Sequence, residues 1–494
     1  MSSRTGRRFL IGTGARAAGG LVAASMLAAC GQGGLGKAGN TAHPTTGSGV
    51  VEITFAPWGQ WVQAGAHWMN FLKPGMQYFE QHNRGIRVKV VAPGGGGGFA
   101  TSILAGTAPD VFEDWVLPPY LAQNLVVNLD PYLRRDNLAT SLWSPGQMHS
   151  LQTQHGTWFL PCYVHVDVMA INLTDLDTLG VSYPDPNWTS AEAAALYRKA
   201  TWDKNGTHHF GVALDDMGGG MLGTATSDTR AYAMHIYGGS VMDASRTVCT
   251  LDDPRVVKAV TWFDQLYWDK VAGGNNIATN CTFAEFGSNN IPYAFTNYRN
   301  KFKWTFFPIP RYPAGRVCFE ATDYHAISAT SKHIPEAWAL LRFLAAEPYW
   351  SRYCMKYLLR TPSLVSLWHE YVSVVESVAP QAKSVGLKWF IPAAQKWGIA
   401  GRTFKYQHPQ AMTIINNALA SALSRKQGVD LAMRSAAQQV NALQRSAAAQ
   451  AHHVKGAHPA SGTSSTAVSG TSSSKASGTT AAKSAVAKGA KAAG

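Results

Sequence analysis

The chain has 494 residues, with 43 Lys or Arg against 29 Asp or Glu, which gives a formal net charge of +14. Four arginines near the N-terminus and five lysines from residue 455 onward carry much of this excess, and about +5 remains on the body. That charge is too small to indicate nucleic-acid binding, and no basic run interleaved with aromatic residues occurs. The body of about 400 residues is long enough for two domains.

The N-terminus is typical of an exported lipoprotein. A start with several arginines precedes an apolar run, and the sequence LAACG then ends this run as a lipobox in which Cys30 is lipidated. We therefore predict a lipoprotein signal peptide over residues 1–30, with a plain signal peptide or a membrane anchor as alternatives. Arg7-Arg8-Phe9-Leu10 resembles a twin-arginine signal but lacks the usual spacer, so either export route fits.

Low-complexity segments flank the body at both ends. Residues 31–49 are rich in Gly, Thr and Ser and predict a flexible linker. Residues 451–494 consist mainly of Ala, Ser, Gly, Thr and Lys, which cannot form a core, so a disordered basic tail is predicted. Contact of this tail with the cell wall or the membrane surface is compatible with its charge. No stretch after the signal predicts a second membrane span.

The body begins with a strand, a helix and a second strand. VVEITF at 50–55 predicts a strand, apolar residues recur at helical spacing over 68–81, and 86–91 again predicts a strand. This βαβ unit implies a parallel sheet. Trp58 and Trp61 lie in the loop after the first strand, and either packing under the loop or contact with a ligand fits Trp58.

The next stretch, ILAGTAPDVFEDW at 103–115, predicts the end of a helix, a break and a short buried strand. Gly106 suits a left-handed helix cap. The last residues, Glu113, Asp114 and Trp115, come at the carboxyl end of the strand, where open α/β sheets bind ligands. Carboxylates beside a Trp suit a sugar, because the indole stacks on the ring and the carboxylates accept bonds from hydroxyls. A purely structural role is the alternative.

The order of these elements, followed by YLAQNLVVNLDPYL at 120–133, resembles the extracellular solute-binding proteins of bacterial ABC importers. The resemblance is to the family that includes maltose- and oligosaccharide-binding proteins, and it covers roughly residues 50–443. It implies an α/β, two-lobe periplasmic-binding-protein-like fold with discontinuous lobes joined by a hinge. We expect residues 50–164 and 284–346 in the first lobe, and residues 165–283 and 347–450 in the second.

The resemblance also assigns the later segments. A nearly continuous strand over 156–172 would cross between the lobes, with Pro161 at the hinge. Residues 281–298 would form a short helix and then a strand that returns to the first lobe, and 321–331 would supply an aromatic residue that stacks on sugar. Helices are predicted at 191–200, 335–346 and as a pair over 411–443.

The predicted ligand-binding residues follow from these placements at strand ends, helix ends and the hinge. They are Trp58, Trp61, Asp110, Asp114, Trp115, Tyr163, His165, Asp216, Tyr232, Asn297, Asp323, Tyr324 and Trp397. The strongest expectation is that Trp115 and Tyr324 stack on a sugar, with Trp58 and Tyr232 as further stacking residues.

Other chemistries lack a sequence signal. Five cysteines remain after Cys30 and cannot all pair with one another; Cys249 with Cys281 is the preferred pair, although the pairing stays open. No cysteine pair or histidine cluster predicts a metal site, and no cofactor is expected. The absence of a GxSxG elbow and of a distinct pair of carboxylates argues against an enzyme.

The sequence therefore predicts a binding lipoprotein on the outer face of the cell membrane, a monomer without affinity for nucleic acid. By resemblance, its partners would be a carbohydrate and the permease subunits of an ABC importer. Alternatives are a binding protein for another polar solute such as a phosphorylated polyol, a secreted polysaccharide-active enzyme, and a wall-attached adhesion or sensor protein.

Overall fold

The computed structural model describes residues 49–57, 67–92, 98–114, 120–121, 123–153, 156–214, 228–400 and 409–456. The predicted signal peptide, the linker up to residue 48 and the tail from residue 457 lie outside these ranges.

The described residues form the following elements. The strands are β1 Val51–Ala56, β2 Ile86–Val90, β3 Val111–Asp114, β4 Gln152–Thr153, β5 Gly156–Thr157, β6 Leu160–Pro161, β7 His165–Asn172, β8 Trp202–Lys204, β9 Thr207–Ala213, β10 Cys281–Gly287, β11 Trp304–Phe307, β12 Cys318–Ala321, β13 Tyr324–Ile327 and β14 Gly398–Ala400. The α-helices are α1 His67–His82, α2 Phe99–Leu104, α3 Asp130–Arg135, α4 Pro145–Leu151, α5 Leu173–Leu179, α6 Ser190–Lys199, α7 Pro254–Trp268, α8 Ile291–Asn297, α9 Ile334–Ala346, α10 Pro348–Leu358, α11 Trp368–Val378, α12 Phe390–Pro392, α13 Pro409–Leu423 and α14 Val429–Gly456. Shorter 3-10 turns are Thr140–Leu142, Asp228–Tyr237, Ser288–Asn290, Val365–Leu367, Pro380–Ser384 and Leu387–Trp389, and Ala393–Trp397 is a π-helix.

The first sheet has the strand order β2-β1-β3-β13-β6. β1 runs parallel to both β2 and β3, which confirms the predicted βαβ unit, and β13 returns antiparallel to β3. Because side chains alternate along a strand, Phe55 and Val111 join one apolar cluster while Ala56 and Phe112 join another on the opposite face. The parallel strands β1 and β3 therefore end at one shared edge.

The second sheet has the order β14-β12-β7-β10-β9-β8, and β11 also pairs with β7. The prediction of one nearly continuous strand over 156–172 is wrong. That segment forms β5 in a separate hairpin with β4, β6 at the end of the first sheet and β7 in the second sheet. The chain changes sheets within it, so uninterrupted apolar sequence does not mean an uninterrupted strand.

Three segments cross between the two sheets and lie side by side. Residues 162–164 connect β6 to β7, residues 322–323 connect β12 to β13, and residues 359–364 follow α10. The amide of Cys162 donates to the carbonyl of Asp323 at 2.8 Å, and the amide of Val164 donates to the carbonyl of Thr361 at 3.1 Å. These bonds join the crossings into a hinge next to the predicted Pro161.

The later crossings differ from the expectation. Residues 281–298 form strand β10 and then helix α8, the reverse of the predicted order, and β10, β11 and β12 all belong to the second sheet. The return to the first sheet therefore comes at residues 322–323 rather than near residue 284. We retain the two discontinuous lobes as a proposal, with that crossing moved.

Local sequence signals explain the ends of several helices. Thr189 accepts a bond from the amide of Glu192, and the Glu192 carboxylate accepts one from the amide of Thr189, which completes a capping box for α6. Asp253 caps α7, and Pro254 occupies its first position. Helix α14 continues to Gly456, into the segment 451–494 that was predicted to be disordered. Among the described helices, none is both long and apolar enough to cross a membrane.

The five cysteines in the described part of the chain are all buried with free thiols. The preferred Cys249–Cys281 disulfide is therefore not formed. Cys281 begins β10 in the middle of the second sheet. The backbone amide of Cys249 donates to Oδ1 of Asn441 in α14, and the carbonyl of Cys249 accepts from Nδ2 of the same side chain. Cys162 directly follows β6 of the first sheet, and its Sγ is 3.0 Å from Nδ1 of His325.

Candidate functional site

Several predicted site residues lie outside the described part of the chain. They are Trp58, Trp61, Trp115 and Asp216; for Tyr232 the structure describes the backbone, within the turn Asp228–Tyr237, but not the side chain. Their predicted contacts with a ligand stay predictions. In sequence, Trp58 follows β1, Trp115 follows β3 and Asp216 follows β9.

A small cavity of about 10 Å³, room for about one water molecule, lies beside the shared carboxyl edge of β1 and β3. Its lining residues are Phe55, Pro57, Phe71, Leu72, Glu113, Tyr163, His325, Leu344 and Trp350. Most of these side chains are aromatic or aliphatic, and Glu113 and His325 supply the polar groups from adjacent positions on β3 and β13. Of the predicted site residues that the structure describes, only Tyr163 lines this cavity. Most of the lining side chains are buried and the space admits about one water molecule, so a sugar unit does not fit in it.

The opposite face of the same edge holds Asp114 and Tyr324, which pair directly across β3 and β13. The Tyr120 hydroxyl donates to the Asp114 carboxylate, and both side chains are buried. Tyr324 is fully buried and packs edge-on against Phe159, with ring centroids 4.4 Å apart. Its ring presents no open face in this structure, which argues against the predicted stacking on sugar.

The hinge contains a buried polar cluster of Tyr163, His165, Asp323 and Arg360. His165 begins β7 of the second sheet, and its Nε2 lies 3.1 Å from Oδ2 of Asp323, just before β13 of the first sheet. The Arg360 guanidinium lies 5.7 Å from the centroid of the Tyr163 ring, and its Nη1 is 3.5 Å from Nδ1 of His165. One bonded pair thus joins the two sheets where the chain crosses between them.

His165 lies between two charged side chains. Its Nδ1 faces the Arg360 guanidinium, which can only donate, and its Nε2 faces the Asp323 carboxylate. Burial alone would raise the pKa of Asp323, but the facing His165 and Arg360, with a smaller contribution from His325, hold that pKa below its usual value. The cluster therefore keeps an ionised carboxylate at the hinge.

The cavity itself favours uncharged groups. Burial lowers the pKa of His325 to about 3 against the opposing effect of Asp323, so its imidazole is neutral near pH 7. Burial likewise raises the pKa of Tyr163 well above its usual value.

Three further predicted residues lie apart from this cavity. Asp110 precedes β3, at the amino end of the strand, where its Oδ2 accepts from Thr54 at 2.8 and 2.7 Å and its Oδ1 from Ser331 at 2.7 Å. The Asn297 amide donates to the carbonyl of Tyr293 within α8. The Arg316 guanidinium lies 5.2 Å from the centroid of the Trp397 ring. Asp110 therefore joins elements of the first sheet, and its carboxylate is occupied.

The prediction did not include several residues that the structure brings to the site: Phe71, Glu113, His325, Trp350 and Arg360. Glu113 was noticed at the strand end but not selected, and His325 alternates with the buried Tyr324. Phe71 belongs to the apolar pattern of the helix predicted over 68–81, whereas Trp350 lies outside every helix that was predicted. Arg360 has no sequence signal, because only the crossing places it beside His165.

Other concave and metal-binding sites in the described residues can be assessed by their lining side chains. A larger open groove beside α3, with Asp130, Arg134 and Gln152 in its lining, contains none of the predicted site residues. No group of three or more His, Cys, Asp or Glu side chains that could hold a metal ion occurs in the described ranges.

Two sheets of this topology, joined by three crossings around a buried polar hinge, define a two-lobe α/β binding protein. The sequence model of the bacterial extracellular solute-binding proteins matches residues 58–349, more than half of the chain. The chain belongs to this family. A comparison with curated proteins found no match.

Solved structures show the same fold at low sequence identity. A cyclic α-maltosyl-1,6-maltose binding protein from Arthrobacter globiformis is similar with a TM-score of 0.66 and 17% identity, over 80% of this chain and 100% of that one. An ABC substrate-binding protein from Listeria monocytogenes in complex with cycloalternan gives 0.62 and 17%, over 80% and 99%. The sugar-binding protein MalE from Xanthomonas citri gives 0.62 and 16%, over 83% and 100%.

Proposed function

We propose that this protein is the extracellular substrate-binding lipoprotein of an ABC importer and captures a carbohydrate between its two lobes. The observation that carries the proposal is the family match over residues 58–349 on a fold of two sheets joined at a buried polar hinge. In sequence, Trp58 and Trp115 follow the carboxyl ends of β1 and β3, and aromatic faces there would suit a neutral polyhydroxylated ligand better than an anion. The similar proteins from Arthrobacter globiformis and Xanthomonas citri are described as sugar binding, which supports the same class.

Capture would proceed by closure about the hinge. A ligand that contacts both lobes stabilises the closed arrangement more than the open one and so shifts the population towards it. The crossings at 162–164, 322–323 and 359–364 would absorb the change in backbone angles. The His165–Asp323 pair would restrain the hinge, because it bridges the two sheets at that point.

Delivery and location complete the proposal. Cys30 would anchor a monomer to the outer face of the cell membrane, residues 31–49 would act as the tether, and the closed form would dock on the permease subunits. No cofactor or metal takes part. The protein binds its ligand without chemical turnover.

A thermal-shift screen tests the ligand class. Mono- and oligosaccharides, polyols and phosphorylated polyols are compared, because a ligand that binds only the native state raises the melting temperature. A sugar hit is confirmed by calorimetric titration and by mass spectrometry after long incubation, where unchanged sugar is expected. Stabilisation by phosphorylated polyols alone, or a product that depends on the protein, would refute the proposal.

A pair of variants tests the site. Trp115→Ala, directly after β3, removes a predicted stacking ring and is expected to weaken binding of the identified sugar by roughly tenfold or more. Tyr183→Ala, an exposed aromatic residue after α5, is the matched control and should leave affinity unchanged. Equal affinities for both variants would place the binding site elsewhere.

A further inference from the structure

A buried carboxylate of the second sheet lies against a helix of the first lobe. Glu320 belongs to β12, and only 2% of its surface is exposed. Its Oε1 accepts from the hydroxyl of Ser144 at 2.7 Å, and the carboxylate also accepts from the backbone amide of Gln147. Ser144 precedes α4 but makes no capping bond of its own, so Glu320 supplies an acceptor for the first turn of this helix. We call these three groups the Glu320 latch.

Helix α4 belongs to the first lobe through its own packing. The indole of Trp143, just before the helix, donates to the carbonyl of Ala345 in α9 at 2.8 Å. Leu151, at the end of the helix, joins the apolar cluster that contains Phe112 of the first sheet. The bonds to Glu320 on the second sheet therefore connect the two lobes.

The strand orders place the latch behind the hinge. In the first sheet, β13 and β6 lead into the crossings, β3 and β1 lie on one side of them, and α4 lies on the other side, beside β6. In the second sheet, β10 and β9 lie on one side of β7 and β12, and β14 lies on the other. The predicted ligand residues Trp58, Trp115 and Asp216 follow β1, β3 and β9 in sequence. The cleft and the latch are therefore on opposite sides of the hinge.

Two glycines bring the backbones of both lobes close to the latch. A Cβ atom on Gly146 of α4, or on Gly398 of β14, would overlap the carboxylate of Glu320. A rotation that closes the cleft moves α4 away from β12 and β14, because these elements lie behind the hinge axis. The latch is formed in the arrangement seen here and breaks on closure.

Burial controls the charge of the latch. It raises the pKa of Glu320 from 4.5 to about 7, against the opposing effect of the bonds from Ser144 and Gln147. Release of the latch would hydrate the carboxylate and return its pKa towards the usual value, so the latched form binds the proton more tightly. Low pH therefore favours the latched, open arrangement, and this preference is lost as the pH rises through 7.

The elements that pack around Glu320 carry further titratable or charged groups. They are His149 of α4, Cys318 of β12, His165 and Asp167 of β7, His235 of the turn Asp228–Tyr237, Glu285 of β10 and Lys396 just before β14. His149 and Lys396 are exposed, and His165 faces Asp323. Burial raises the pKa of Cys318 well above its usual value, so this thiol stays neutral. Glu320 is the member of the latch whose charge changes near neutral pH.

We propose that the Glu320 latch is a proton-dependent lock that holds the cleft open, so that the protein closes more readily at high pH than at low pH. This inference rests on the proposed closure about the hinge and adds its regulation.

The experiment measures the distance between the lobes by pulsed electron paramagnetic resonance on the full chain without added sugar. Spin labels on ketone side chains replace Arg84, just before β2, and Thr207, at the start of β9. Both residues are exposed and lie on the cleft side of the hinge, so closure shortens the distance between them. In the parent, we expect the ratio of short to long distances to rise by roughly tenfold or more between pH 5 and pH 8.

Three variants separate the latch from other titrating groups. Glu320→Gln keeps the shape of the side chain but has no proton to lose, so it should keep the long distances across this pH range. Gly146→Ala pushes a methyl group against the carboxylate and should favour short distances already at pH 5, and it replaces Glu320→Gln if that variant does not fold. Glu285→Gln, a buried carboxylate on β10 on the cleft side of the hinge, is the matched control and should keep the pH dependence of the parent.

A parent whose distances stay constant, or lengthen as the pH rises, refutes the proposal. An equal pH dependence in Glu320→Gln assigns the effect to another group and also refutes it. The ligand screen is a separate test: a chain that shows the pH-dependent distance but binds no sugar refutes the proposed function alone. Sugar binding without a pH-dependent distance refutes the latch alone.

Discussion

Asp264 gives a quantitative test of how this fold holds a buried charge. Its side chain lies on the buried face of α7 with no exposed surface, between Phe263 and Leu266 in a helix packed against the core. In the part of the chain that the structure describes, neither carboxylate oxygen has a hydrogen-bond partner. Burial accordingly raises the pKa of Asp264 from 3.8 to about 7.

The sign of the effect follows from proton binding. Between about pH 3.8 and pH 7, the folded protein keeps a proton on Asp264 that the unfolded chain has lost. Stability contributed by this group is therefore complete at low pH and is lost as the pH rises towards 7. A pKa raised from 3.8 to about 7 changes the free energy of unfolding by up to about 4 kcal/mol across this pH range. Roughly 2–3 kcal/mol of that loss of stability falls between pH 5 and pH 8.

Asp264→Asn removes the ionisation while it keeps the shape of the side chain. We expect the variant to gain roughly 2–3 kcal/mol of unfolding free energy relative to the parent between pH 5 and pH 8. The assay is urea unfolding of both proteins at each pH, followed by circular dichroism. Asp252→Asn, an exposed carboxylate just before α7, is the control and should show no such gain.

Parallel pH profiles for Asp264→Asn and the parent would refute the reasoning. They would mean that the carboxylate has a partner in solution, or that its ionisation opens the helix to water at little cost. A variant that is less stable at every pH by a constant amount would instead assign the carboxylate a packing role without a shifted pKa.

Three further predictions concern the buried His325, the packing of α1 against α10 and the anchor. Burial lowers the pKa of His325 to about 3, so the parent loses stability as the pH falls from about 6.5 towards 3. His325→Gln should lose roughly 2–3 kcal/mol less unfolding free energy than the parent by pH 4.5, measured by urea unfolding. An equal loss in both proteins would contradict this prediction. Gly75→Ala would force a methyl group to within 2.0 Å of Trp350 and should cost roughly 1–3 kcal/mol, seen as a lower melting temperature, whereas Gly428→Ala meets no atom and serves as control. Cys30→Ala should release the protein from the membrane fraction or leave it unprocessed, and mature protein that stays membrane-bound after normal cleavage would rule out the lipobox.

Local sequence determined the elements whose signals lie within a few turns of chain. Helix α1 was predicted over 68–81 and is found at His67–His82, and α6 was predicted over 191–200 and is found at Ser190–Lys199. Apolar periodicity, capping side chains and the fixed φ of proline act between neighbours, so they can be recognised without knowledge of the rest of the chain. The family resemblance added the two-lobe α/β fold.

Tertiary structure decided what depends on distant pairing. The segment 156–172 looks like one strand, but Leu160–Pro161 pairs with β13 while His165–Asn172 pairs with β10, so burial against partners more than 100 residues away divides it. The same pairing buries Tyr324 against Phe159 instead of leaving it open to a ligand. Arg360 joins His165 only because two crossings lie side by side. Apolar and charged residues alone do not specify which partner covers them, and the site depends on that choice.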